Sequence, residues 1–342
     1  MPARLASGGA VAPAWTDGWR RTLRAPWVVV GLWSMTFFLA LPLALTLRGM
    51  LVDHLGASLA AETAATSVNF DWWNEFLAQA AGIGQTFVPA ILGFAAVLKN
   101  ISSIADADSL PTVIASAITA HLVVSSFLLG GVLDRLARDR TIGAHGFFAA
   151  CGVFFFRFVR LGVLAAAIYW LVFIRLHPLL FDTLLTALTR DITVERTAFA
   201  YRVALYVVFG VLVMTINLVF DYAKIRMVVE DRRSAFGALA AALRFIARQP
   251  LAAVGLSLLN SLVFALVVGA YALAAPGAAG GWYALAGLLV GQLYIVVRVM
   301  NRVAFAASQI SFFQSRLAHA GYTARYTPVW PESAAAEAIR PE

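Results

Sequence analysis

The side chains best placed to do chemistry here are polar residues stranded in apolar surroundings: His121, Asn217, Asn260 and Gln292. A polar or ionisable group inside hydrocarbon is costly, so its presence implies a partner or a task. An unperturbed imidazole titrates near pH 6.5, so His121 would sit in such a run as a neutral ring able to hydrogen-bond a neighbouring helix. A proton-transfer role would need an acidic partner, and no Asp or Glu is clearly placed at the middle of an apolar run. Side-chain amides bridge helices for about 0.6–2 kcal/mol. For Asn217, Asn260 and Gln292 that bridging role is the simpler reading, with substrate contact as the sharper one.

A second constellation is ionic. Arg298 and Arg302 are four apart, on one face of a helix, and Arg157 and Arg160 close another apolar run. Asp221, Glu230 and Asp231 fall on the same side by topology. This spacing predicts an ion-pair cluster tying the third, fourth and sixth apolar runs together. The plainer alternative is that each arginine reaches separately for lipid headgroups.

Other chemistry lacks its residues. There is no Gly-rich phosphate loop ending in Lys-Ser/Thr, no His-Glu-x-x-His and no Gly-x-Ser-x-Gly. The five histidines, His54, His121, His145, His177 and His319, are scattered, and the carboxylate pair Asp106 and Asp108 reads as solvated. Cys151, the one cysteine, excludes an intrachain disulfide and, among Phe147, Phe148, Phe154, Phe155 and Phe156, reads as a packing residue. No catalytic site, cofactor or metal is expected, so the chain does not read as an enzyme.

The elements carrying these residues are legible. Of 342 residues, 61% are hydrophobic and 13% charged, against roughly 45–50% and 25% in soluble domains. The mean hydropathy is +0.81. Crossing about 30 Å of hydrocarbon takes about 20 apolar residues in a helix. Six runs qualify: Trp27–Leu47, Pro111–Leu133, Leu161–Phe181, Ala198–Phe220, Leu251–Ala274 and Trp282–Val303. The expected fold is an all-α polytopic membrane bundle of six transmembrane helices. Residues 1–325 would form one membrane domain, and 326–342 a disordered cytoplasmic tail.

Orientation follows from Lys and Arg. With the N-terminus inside, segments 1–26, 134–160, 221–250 and 298–342 face the cytoplasm. Of the 26 basic residues only Arg48, Lys99, Arg175, Arg190, Arg196 and Arg202 fall elsewhere, while the acids divide evenly. Both termini are therefore expected in the cytoplasm of a bacterial inner membrane. The net charge of +8 then reads as contact with anionic lipid headgroups rather than nucleic acid. Asp71–Lys99 is expected to lie on or re-enter the outer face, anchored by Trp72 and Trp73. Its segment Phe76–Leu98 is weakened as a span by Gln79, Gly82, Gly84, Gln85, Thr86 and Pro89.

Three copies of one plan are discernible: a cytoplasmic amphipathic segment, a helix out and a helix back. Arg20-x-x-x-Arg24-Ala25-Pro26-x-x-x-Val30-Gly31-Leu32 matches Arg244-x-x-x-Arg248-Gln249-Pro250-x-x-x-Val254-Gly255-Leu256. The middle copy keeps Phe156-Arg157-Phe158-Val159-Arg160-Leu161 without a proline. Proline suits the first helical turn, so Pro26 and Pro250 predict a bend between a surface helix and a span. The best-marked surface helix is expected over Tyr222–Gln249, with Ile225, Val228, Val229, Phe236, Leu239, Leu243 and Ile246 at helical spacing; the alternative is that this stretch is the polar end of a long helical hairpin.

Two stretches carry a family likeness. One joins Gly130-Gly131-Val132-Leu133 to Phe147-Phe148-Ala149-Ala150-Cys151-Gly152 and Phe155-Phe156-Arg157-Phe158-Val159-Arg160-Leu161. The other is Asp221-Tyr222-Ala223-Lys224-Ile225-Arg226-Met227-Val228-Val229-Glu230-Asp231-Arg232-Arg233-Ser234. The pattern resembles a group of bacterial six-span membrane proteins without assigned activity. Over residues 200–300 it is more distantly similar to the membrane domain attached to some glycerophosphodiester phosphodiesterases. The chain has no room for their soluble catalytic barrel, so that activity does not transfer. The functional expectation is a scaffold or accessory subunit with a membrane-protein partner, the alternative a transporter or lipid-handling protein. A polar cavity near mid-membrane favours the alternative, and a dry bundle with an apolar groove the first.

Overall fold

The structure, a computed structural model, describes residues 11–56, 58–67, 69–87, 102–103, 105–107, 112–275 and 282–316. Every regular element among them is helical. Six helices are long and apolar enough to cross a membrane: α2 (Pro26–Leu55), α5 (Thr112–Arg138), α6 (Ala144–Thr189), α7 (Glu195–Val229), α9 (Pro250–Ala274) and α10 (Trp282–Arg316). Shorter helices are α1 (Val11–Leu23), α3 (Ala60–Thr66), α4 (Phe70–Gln79) and α8 (Ala235–Arg248). Most of Pro111–Leu133 and all the other expected spans lie within these helices. The expected tail 326–342, residues 88–99 of the outer element and Pro111 lie outside the described residues.

The helix boundaries follow local chemistry. Pro26 and Pro250 each open a span, where a missing N–H costs nothing. The residues before them adopt nearly the same bend, Ala25 at φ −124°, ψ 52° and Gln249 at φ −138°, ψ 47°. The matched motifs thus make matched geometry. Within α6, Pro178 lacks a backbone donor, and the helix widens into π turns at Val172–Leu176 and Leu179–Leu184 on either side of it. The surface helix expected over Tyr222–Gln249 is divided. α7 continues to Val229, Asp231 turns the chain at φ +50°, and the Ser234 side chain accepts from Gly237 N–H to start α8. The apolar spacing ran through both pieces and hid the break.

Buried residues concentrate at the arginine-rich end of the bundle. There, one packing relation occurs three times. α1 lies on the end of α10, the start of α6 on the end of α5, and α8 on the end of α7. Each surface segment thus packs on the returning span of the preceding copy, and α1 on α10 completes the circuit. Small residues permit the approach. A Cβ on Gly18 would sit 2.5 Å from Ser308 N, and one on Gly131 2.8 Å from Cys151 Sγ. Cys151 is fully buried in that crossing. α8 presents Ala235, Ala238, Ala241 and Ala242, and its Phe245 ring reaches Tyr222 of α7 and Phe312 and Phe313 of α10.

A second relation ties the first two segments to their own copies. Asp139 and Asp231 follow the ends of α5 and α7 in left-handed conformation, φ 44° and 50°, which Asp tolerates better than most residues. Arg20 and Arg24 reach Asp139 at 3.6 Å, and Arg157 reaches Asp231 at 2.5 Å. The helix ends also cap one another. Arg21 donates to Leu136 O (3.0 Å), Gln314 to Ala137 O (2.9 Å) and Arg135 to Arg24 O (3.1 Å), satisfying terminal carbonyls that have no helical partner.

At the opposite end α4 folds back on α2. Trp72 is buried and donates its indole N–H to His54 Nδ1 (3.0 Å), and Trp73 donates to Phe87 O (3.0 Å). Trp72 therefore packs into protein rather than serving as the expected headgroup anchor, because the His54, Phe76 and Phe87 rings enclose it.

Gly18→Val should destabilise the full chain by about 1–3 kcal/mol, the usual cost of overpacking. Gly31→Ala, which meets nothing within 4 Å, should cost little beyond any change in helix propensity. Thermal unfolding in detergent compares them. Asp17 supplies a pH dependence. Burial would raise its carboxyl, but a Ser311 hydrogen bond and the charges of Arg21 and Arg20 outweigh that, and its pKa lies below 3.8. A lowered carboxylate stabilises the fold above its unfolded pKa and loses that contribution as pH falls through the folded one. The Asp17→Asn variant should therefore unfold earlier than the parent at pH 7, the gap closing below about pH 4.

Candidate functional site

The layer that packs the arginine-rich end does not extend through the bundle. Towards the other end the helices show their apolar faces outward and touch sparingly. Between the two lies a cavity of about 670 Å³, walled by α2, α5, α7, α9 and α10. That is within the range of small-ligand sites, about 300–1,000 Å³.

Its lining is divided by chemistry. Leu32, Met35, Met214 and Phe264 make apolar wall. Arg298 and Arg302 project from α10 one turn apart, and Asp221 and Lys224 from α7. Asn260, Asn301, Gln309 and Ser257 are buried polar residues in the wall. His121 stands on α5 within electrostatic reach of Arg302 and Arg298.

The expected intramembrane residues separate here. His121, Asn217 and Asn260 all line the cavity. Gln292 does not; its side-chain oxygen accepts from Trp33 Nε1 at 3.0 Å and joins α10 to α2. Asn217 accepts from Tyr169 OH at 2.7 Å, and Asn260 donates to Leu256 O (2.9 Å) and Ser308 Oγ (3.0 Å). So each of the three amides contacts another helix, while two of them also face the cavity.

The expected seven-residue ionic cluster is distributed instead of gathered. Arg157 pairs with Asp231, joining α6 to the end of α7. Glu230 takes Arg226 of its own helix at 3.4 Å and also pairs with Arg232. Asp221 pairs with Lys224 at 2.8 Å. Among the described residues Arg160 donates only to Phe156 O, one turn back on its own helix, at 3.2 Å. Arg298 and Arg302 make no ion pair among the described residues; they open into the cavity. Topology alone gave the right end of the bundle but not helix rotation, and rotation places these two arginines, both exposed, on the cavity lining.

Asn301, Gln309 and Ser257 were not singled out from the sequence. Arg298, Arg302 and Gln309 fall at near-helical intervals on one stripe of α10, which is the signal that would have found Gln309. Three polar atoms here are buried without a partner: Asn260 Oδ1, Asn301 Oδ1 and Gln309 Nε2. A buried polar atom left unpaired costs about 1–3 kcal/mol, so these mark where a polar ligand would gain most. Of the charged lining residues, Lys224 is offset by Asp221 and the two arginines are not.

A smaller cavity, about 410 Å³, lies further along α7 beside Phe173, Tyr206 and Phe209, and shares Gly210 and Val213 with the first. Tyr206 donates to Asp106 there at 2.5 Å. The large cavity is flanked by α7 and α9, which have no extensive packing interface with each other among the described residues. Comparison with family models, curated proteins and solved structures returns no match for this chain.

The two arginine sets should respond differently to substitution. Arg157→Gln breaks the Asp231 pair and should lower stability by about 1 kcal/mol, the scale of a partly exposed pair. Arg298→Leu removes an unpaired cation and should leave thermal unfolding unchanged or raise its midpoint. A drop equal to that of Arg157→Gln would place Arg298 in a structural ion pair.

Proposed function

We propose that this membrane protein binds a lipid-like amphiphile in the central cavity and handles or transports it, rather than serving as the accessory subunit that the sequence alone favoured. One observation carries the reading: a cavity in the bundle lined by both polar and apolar groups, flanked by two spans that do not close against each other. A polar cavity is unfavourable in a bundle that needs only to be packed. The α7–α9 side offers the bilayer a way in, and the apolar wall of Leu32, Met35, Met214 and Phe264 suits a hydrocarbon chain. In this reading the arginine-rich end faces the cytoplasm of a bacterial inner membrane, with both termini there, since Lys and Arg collect on that side. Its exposed arginines would meet anionic headgroups.

The test is photocrosslinking in membranes with a phospholipid carrying a diazirine in its acyl chain, followed by peptide mapping. Adducts are expected on Met35, Met214 and Phe264 as well as on outward residues such as Val207 and Leu262. Adducts confined to the outward set would sink the reading. A stoichiometric protein companion in native mass spectrometry, together with an unlabelled cavity, would restore the accessory-subunit role.

A further inference from the structure

Resting on the reading of the cavity as an amphiphile site, we infer that its ligand is recognised by a phosphate group, held by Arg298 and Arg302. The two guanidiniums stand four residues apart on one face of α10, both open to the cavity, neither paired with a carboxylate among the described residues. Each offers a planar fork of donors that matches phosphate oxygens two at a time. Lys224 stands across the space but is already bonded to Asp221, so the free positive charge sits on α10. Both side chains are exposed rather than packed against a neighbour, and they are not at a helix end. α10 continues 14 residues past Arg302 to Arg316, about 21 Å at 1.5 Å per residue, and much of that stretch is buried under α1 and α8.

The rest of the lining fits a phosphate ester better than a bare anion. Gln309 Nε2 is a buried donor without a partner, suited to a further phosphate oxygen. Asn260 Oδ1 and Asn301 Oδ1 are buried acceptors without partners, and Asn260 is held in place by its two donated bonds to Leu256 O and Ser308 Oγ. They call for donors on the ligand. Neutral hydroxyls satisfy them, whereas an ammonium would meet the uncompensated arginine charge. The apolar wall lies beside these groups, so one molecule with a phosphate at one end and a hydrocarbon chain at the other fills both parts. An anionic phospholipid has that form; a free phosphate ester shares only the head.

The test uses the full chain in a neutral detergent, with lipid binding read by native mass spectrometry. Dioleoylphosphatidylglycerol and dioleoylglycerol, which has the same chains and a free hydroxyl but no phosphate, are titrated separately, then phosphatidylglycerol in the presence of inorganic phosphate. The unaltered protein should bind phosphatidylglycerol saturably and at least about tenfold more tightly than dioleoylglycerol, a preference of about 1.4 kcal/mol. The double variant Arg298→Gln/Arg302→Gln should remove that preference and leave dioleoylglycerol binding as it was. Arg160→Gln, which lies outside the cavity, should not alter it. Competition by inorganic phosphate would support the site with free phosphate as a ligand, and lack of competition would support it with the chain required. Equal binding of both lipids by the unaltered protein would overturn the phosphate assignment, and would do so even if the double variant failed to fold. Acyl photoadducts on Met214 and Phe264 would then still support the amphiphile cavity, whereas their absence would overturn both.

Discussion

Helices in a bilayer gain little by meeting one another, because lipid tails are as apolar as leucine. Something other than hydrophobic burial must hold such a bundle together, and here it is the packed layer at the arginine-rich end. That layer contains the buried ends of α5, α7 and α10, the first turns of α9, the start of α6, and the surface helices α1 and α8. It is assembled from the means available where spans leave the hydrocarbon. Backbones approach closely over small residues, carbonyls at helix ends accept from Arg21, Gln314 and Arg135, and aspartates beyond the spans take arginines from surface segments. The spans are fixed at one end and are free to separate elsewhere. The cavity follows from that arrangement, since five helices gripped at their feet need not close along their length.

The repeated plan explains how one chain makes such a layer. A surface segment packed on the returning span of the preceding copy joins each copy to its neighbour, and in the first two copies an arginine also bonds the segment to the end of its own. Applied in turn, the rule leads from α1 back to α10. The middle copy shows that the rule is about packing rather than sequence detail. It has no proline and no bend, its surface segment being the first turns of α6 itself, yet Cys151 and Gly131 make the same close crossing that Ser308 and Gly18 make elsewhere.

Much of this was legible in the letters, and the limits are physical. Six spans were readable because about 20 apolar residues in a row have few other uses. The bends at Pro26 and Pro250 were readable because proline's geometry is local. What could not be read was rotation about helix axes. Arg157 and Arg298 both flank the packed end, yet one faces Asp231 and the other faces the cavity. The period of α10 could have separated them, with Arg298, Arg302 and Gln309 on one stripe. Gln292 could not have been told from Asn260 by the same means, since each is an isolated amide in an apolar run. Trp72 shows the converse: the composition of an interfacial anchor is also the composition of a small aromatic core.

The layer and the cavity are not separate devices. Ser308 belongs to both. Its backbone is the surface on which Gly18 rests, and its hydroxyl accepts from Asn260, whose free oxygen is one of the unpaired groups at the cavity. A methyl group at Gly18 would displace the backbone that positions Ser308, and through it the amide in the cavity wall. Asp17, one residue before Gly18, carries the charge network of α1, so acid that weakens α1 acts on the same crossing. The polar floor of the cavity is thus held in place by a surface helix on its far side. Docking of α1 and the shape of the site are then one equilibrium, in which anything that binds Asn260 and its neighbours favours α1 in place, and anything that lifts α1 weakens the site.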